Sequence, residues 1–302
     1  MLSRKRTLFI TLSLIIGISL AFFILATNFQ KNFVGTEAVQ SGTESGTGSP
    51  YPVLATPNSY SRLQAYPYPV ATVAGENTLS VGIDLYRGGY YEEAMTVFEE
   101  LIRKGVNLAE AYGGKGAVHI AWRNYEEALN SYTIALSYSR TSELLTGQCN
   151  AFRLLQRVNE AISSCNQAIE LDVSNPEPYL VLAKLYLDKG DTENARLFAS
   201  KVFNEMSSNR DQAAFILGLT ALQEGKGEEA INNFTKAIEL NPKEPVYYWE
   251  RGFLALGLGK FDLARSDMRA ILQVANPRLH GELMFRANAQ LQFLNSNEES
   301  NP

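Results

Sequence analysis

Apolar positions return in a fixed rhythm along most of the chain. Residues 90–102, YYEEAMTVFEELI, and 124–136, NYEEALNSYTIAL, place an aromatic, two glutamates, an alanine and a second aromatic in the same order, 34 residues apart. Alanines stand at Ala94, Ala128, Ala161, Ala195, Ala230 and Ala264, with gaps of 34, 33, 34, 35 and 34. Twelve residues before each lies a small residue: Gly82, Gly116, Cys149, Ala183, Gly218 and Gly252. Four residues after come Phe98, Tyr132, Cys165, Ala199, Phe234 and Met268. Apolar residues at such spacings form one face of a helix. Gly89, Gly190, Gly225 and Gly259 break four of the six units near their middle. Each unit therefore reads as two helices of about 13 residues, folded antiparallel by a short turn. Pro176, Pro242, Pro245 and Pro277 fall between units. One such pair cannot bury both its faces, so the units must stack.

This period and these slots resemble the tetratricopeptide repeat family. Its pattern W-x2-L-G-x2-Y…A-x3-F…P is met most fully in the fifth unit, by Leu217-Gly218, Ala230, Phe234 and Pro242. The second unit comes next, with Tyr112, Gly116, Ala128 and Tyr132. The third and fourth depart, with Cys165 and Ala199 in place of the aromatic. The resemblance implies an all-α, right-handed α-solenoid of about six helix-turn-helix units over residues 75–278. Units are expected near 75–108, 109–141, 142–175, 176–210, 211–244 and 245–278. Residues 279–294 read as a helix capping the last pair, and 295–302 as a disordered tail.

In this family the first helices line a concave face, which implies a peptide-binding groove. The first two units would contribute Leu79, Ile83, Tyr86, Ala117 and Ile120. The middle units would add Asn150, Arg153, Leu180, Lys184 and Leu187. The last two would add Phe215, Leu219, Leu222, Trp249, Phe253 and Leu256. Most are apolar, as suits an amphipathic helix or an apolar extended segment. Covering of this strip within the protein, or by a second copy, is the alternative. The family's lysine-asparagine clamp for chaperone carboxylates is absent, because Leu79 and Ile83 hold those slots of the first unit. Asn150, Arg153 and Lys184 form a central polar spot that either fixes one end of a peptide or is simply solvated.

The N-terminus breaks the rhythm. Residues 8–26, LFITLSLIIGISLAFFILA, carry no charge. At helical rise they reach roughly 28 Å, close to a bilayer core. Arg4, Lys5 and Arg6 precede them. A signal anchor is expected, with residues 1–7 cytoplasmic and the repeats in the periplasm or outside the cell. A cleaved signal peptide is the competing reading, although Ile24-Leu25-Ala26 makes a poor cleavage site. Residues 27–74, rich in Gly, Ser and Thr and then in Tyr and Pro, read as a disordered linker.

Composition narrows the function. The net charge is −5 and the pI about 5.3, unlike a nucleic-acid binder. The two histidines, His119 and His280, and two cysteines supply no zinc cluster. No catalytic constellation, cofactor motif or metal site is expected. Glutamate pairs such as Glu92-Glu93 recur at the starts of second helices, where they complement the helix dipole. Cys149 and Cys165 face one another across the third hairpin. They suit a disulfide in an oxidising compartment or two buried thiols. The expected function is a non-enzymatic, membrane-tethered scaffold for protein or peptide partners. The second reading is an accessory subunit of an envelope, polysaccharide or secretion assembly, acting through its convex face or by homo-oligomer contact.

Overall fold

A computed structural model describes residues 78–299. The expected anchor and linker, and the last three residues, lie outside the described residues. Among the described residues there are thirteen helices and no strands. They are α1 Leu79–Arg87, α2 Tyr91–Lys104, α3 Leu108–Ala121, α4 Tyr125–Tyr138, α5 Ser142–Leu154 and α6 Val158–Leu171. Then come α7 Glu177–Asp188, α8 Thr192–Glu205, α9 Arg210–Gln223, α10 Gly227–Leu240, α11 Pro245–Gly257, α12 Phe261–Val274 and α13 Pro277–Glu299. Each helix packs on its chain neighbours, and first helices of successive units also touch, as in a solenoid. No described helix is long and apolar enough to cross a membrane.

The six turns inside the pairs share one construction. The amide that closes each turn donates to a carbonyl five residues back: Tyr90 to Leu85, Asn124 to His119, Arg157 to Phe152, Asp191 to Tyr186, Lys226 to Ala221 and Lys260 to Ala255, at 2.8–2.9 Å. This closure needs a left-handed residue at the turn. Gly89, Gly190, Gly225 and Gly259 supply it with φ of 73–78°. Where glycine is missing, Arg123 and Gln156 adopt φ of 62° and 59° and accept the strain.

The slots explain how helices approach. A methyl group on Gly82 would lie 2.6 Å from Phe98 Cε1, and one on Gly114, in the next unit, 2.5 Å from the same atom. Phe98 is thus gripped between two glycine faces. Tyr132 is gripped likewise: its Cζ would lie 2.9 Å from a methyl group on Gly116 and 2.5 Å from one on Gly147. Where the wedge shrinks to Cys165 or Ala199, the next unit supplies bulk instead. Val181 joins the cluster of Cys165, and Ile216 that of Ala199. At these two seams a larger residue thus stands opposite a smaller wedge, as close packing requires.

The last helix is longer than the expected 279–294. Pro277, with its fixed φ, starts it, and Asn276 Oδ1 accepts the Arg278 amide at 2.9 Å. Leu291 and Leu294 pack against the fifth and sixth units, and the helix runs on through the expected tail to Glu299. A break in helical geometry at His280 (φ −126°, ψ 20°) separates its first turn from the rest.

Candidate functional site

The first helices α1, α3, α5, α7, α9 and α11 carry the expected groove residues, and their exposure divides them. Phe253 is 56% exposed and Leu222 38%. Leu79, Ile83, Tyr86, Ala117, Ile120, Asn150, Arg153, Lys184, Leu187, Phe215, Leu219, Trp249 and Leu256 are half-buried. Leu180 departs from expectation: at 2% exposure it belongs to the interior with Ala183, Ala199, Val202 and Ile216. The small pair Ala183 and Ala199 leaves room there, and Leu180 fills it.

The C-terminal third of the strip is aromatic and partly covered. Trp249 and Phe253 stack with ring centres 5.8 Å apart. Trp249 also packs on the buried cluster of Met268, Ile271 and Ala287, to which Leu283 and Leu291 of α13 add, and Leu256 on the cluster holding Leu294. The tryptophan and the last helix thus share one cluster, while Phe253 stays open. Phe215 is wedged between Phe234 at 5.6 Å and Tyr247 at 4.9 Å, so it serves a seam as much as a surface. At the N-terminal end, Tyr86 leans on Tyr91 at 5.7 Å. Burial, with Tyr91 beside it, raises the Tyr86 hydroxyl pKa.

The middle of the strip is cationic. Arg153 Nη1 donates to Asp188 Oδ2 at 2.6 Å, tying α5 to α7. Its Nε and Nη2 donate to Asn150 Oδ1 at 3.2 and 3.1 Å. Burial pushes the Lys184 ammonium pKa below its usual value, and the Arg153 charge adds to that. Glu177 and Asp188 pull the other way. Among the described residues its ammonium has no hydrogen-bond or ion-pair partner. A half-buried cation beside a second cation has unused capacity for a carboxylate. The expected trio thus lies together, with Asp188 an added member that the sequence pattern did not single out.

Cys149 and Cys165, both fully buried, are joined by a disulfide with S–S 2.08 Å across α5 and α6. His119 stacks edge-on against Trp122 at 5.9 Å, and burial lowers its pKa. It lines no cluster of metal-ligating groups, and no such cluster of three occurs among the described residues.

One polar pair escaped the sequence reading. Arg251 donates to Asp267 through Nε at 3.0 Å and Nη2 at 2.7 Å, and to Thr235 Oγ1 at 2.9 Å. The pair has the same 16-residue spacing as the neighbouring slots Gly252 and Met268.

Comparison with known proteins agrees with this architecture. The tetratricopeptide repeat family model matches residues 215–280. A TPR repeat-containing protein of Methanocaldococcus jannaschii is 25% identical over 209 residues, which is 66% of this chain and 36% of that protein. The chain spans well under half the length of the curated relatives it matches first. Among solved structures, a thermophilic TPR protein of Thermus thermophilus superposes with TM-score 0.55 at 19% identity, covering 59% of this chain and 97% of that one. A chain of the APC/C hetero-tetramer Cut9–Hcn1 gives TM-score 0.55 at 17% identity, covering 69% of this chain and 42% of its own. The described fold is a solenoid of the tetratricopeptide type.

Proposed function

We propose that this chain is a tetratricopeptide-repeat scaffold, without enzymatic activity, that holds a segment of another protein along its first-helix strip. Tetratricopeptide repeats generally mediate protein–protein contact. The observation that carries the reading here is the strip itself. It has open apolar positions at Leu222 and Phe253. It also has a half-buried, unpartnered ammonium at Lys184. Such a surface fits an apolar or amphipathic segment bearing one acidic group. The uncharged stretch at 8–26 and the linker at 27–74 support a membrane tether. The Cys149–Cys165 bridge favours an oxidising compartment for the repeats, in keeping with the basic N-terminus staying cytoplasmic.

The test is site-specific photocrosslinking from position 253 of the full chain in its native membranes, with position 99 on a second helix as control. A discrete adduct at 253 that Lys184→Glu abolishes, with none at 99, supports the strip. Equal adducts at both positions, or adducts from 99 alone, move the function to the outer face.

A further inference from the structure

The turns of the repeat provide an internal comparison. Gly89, Gly190, Gly225 and Gly259 occupy the same turn position with φ of 78°, 77°, 74° and 73°. Three of them are exposed, and Gly89 alone is buried. A methyl group on Gly225 or Gly259 would meet nothing within 4 Å, and on Gly190 only Gln223 Nε2 at 3.6 Å. On Gly89 it would lie 2.5 Å from Leu279 Cδ2 and 3.6 Å from Arg278 Cδ. Beside it, the Arg278 guanidinium sits 4.1 Å from the centre of the Tyr90 ring. Arg278 and Leu279 belong to the first turn of α13, nearly the whole array away in sequence. The first hairpin therefore meets the last helix, and the stack of units turns far enough to bring its two ends together.

The segment that makes this contact is braced separately. The break at His280 sets the first turn of α13 apart from the helix that covers the sixth unit. Asn276 holds that turn through its neighbours. Its amide donates to His280 Nδ1 at 3.1 Å, and its carbonyl accepts from the His280 amide at 2.7 Å. Its Oδ1 accepts from the Arg278 amide at 2.9 Å. The turn is held by these three hydrogen bonds and joined at a break to the remainder of α13, a geometry suited to presenting two side chains to a distant surface.

We propose that Arg278 and Leu279 form a latch that closes the array upon the turn Gly89-Tyr90, giving the protein a closed and a sprung state. The contact is one guanidinium on one ring and one leucine over one glycine. It is small beside the seams between units, so it opens while the units stay folded. A groove occupant needing a wider curve selects the sprung state, and a narrow one the closed state. The latch itself does not depend on the binding reading, and its test needs no partner.

Hydrogen exchange on the full chain decides it. With Arg278→Ala and Leu279→Ala combined, amides in residues 85–92 should exchange at least about threefold faster, the factor expected from losing a contact of this kind. The matching turns at 186–192 and 221–227 should not change. Reciprocally, Tyr90→Ala should speed exchange in 276–282. Unchanged exchange in 85–92, or a rise shared equally by all the turns, overturns the latch. If the double substitution unfolds α13, seen as exchange across 284–294, the Tyr90→Ala arm decides alone. That change leaves the contacts of α13 with the sixth unit intact, and no effect at 276–282 then refutes the proposal.

Discussion

Arg251→Met isolates the energetics of the pair buried in the sixth unit. Asp267 is 1% exposed and takes both charge-assisted hydrogen bonds from one guanidinium. Burial raises its pKa, more than Arg251 lowers it. Removing the arginine leaves a carboxylate in the interior with no cation, a loss on the order of 3–5 kcal/mol. Replacing both, as Arg251→Met with Asp267→Leu, removes the desolvation cost as well and should come within about 1 kcal/mol of the parent or exceed it. The dependence on pH has a definite sign. The folded pKa lies above the unfolded one. The site thus favours folding at pH below the ordinary carboxylate value, and that advantage is lost as pH rises through the raised one. The deficit of Arg251→Met should therefore shrink on acidification. The chain's two tryptophans make the assay local. Trp249 lies two residues from Arg251, and Trp122 lies in the second unit. Urea unfolding of single-tryptophan variants reads the two ends separately, which matters because a stacked array need not unfold in one step. The reasoning fails if Arg251→Met costs under about 1 kcal/mol at neutral pH, or if the double variant is as damaged as the single.

Gly218→Leu should lower the unfolding midpoint by the equivalent of about 1–3 kcal/mol, because a branch there meets Phe234 Cδ1, 2.5 Å from the first added carbon. Calorimetry checks it, and relief by Phe234→Ala in the same chain would confirm the steric cause. Cys149→Ser with Cys165→Ser should cost about 3 kcal/mol for a separation of 16 residues, read as a loss of midpoint in urea that reduction of the parent reproduces. Gln156→Gly and Arg123→Gly should each stabilise by about 0.5–1 kcal/mol, the left-handed strain outweighing the added chain entropy. Lys184→Met should stabilise the unliganded protein. The lowered ammonium pKa means folding is favoured above the ordinary lysine value and loses that contribution as pH falls, so the gain should be larger at neutral than at high pH.

Helix pairs and inward slots were legible because both rest on local rules: a 3.6-residue period, a small residue facing an alanine, and glycine at a left-handed turn. Arg123 and Gln156 show the limit of those rules, since the repeat context imposed the left-handed turn on residues that do not favour it. Leu180 shows another. Its position matches that of Trp249 and Phe215, and only the small volumes of Ala183 and Ala199 around it draw it inside. The Arg251–Asp267 pair left just a spacing as its trace, and nothing in a lone arginine and aspartate distinguishes a buried pair from two surface charges. The meeting of Gly89 with Leu279 had no local signal at all. It depends on a small rotation accumulated over six stacked units, and no window of sequence carries that sum.

The wedge of Phe98 between Gly82 and Gly114 has a consequence for the order of the units. Each second helix dictates the surface that its successor must offer. Phe98 accepts a successor with a bare backbone at that point, and Ala199 is matched instead by Ile216. Placing the fifth unit directly after the first would drive the Ile216 side chain into the Phe98 ring. Placing the second after the fourth would open a void beside Ala199. The units look interchangeable by their period, yet each is addressed to one predecessor, so the sequence of the array is written in the shapes of its seams.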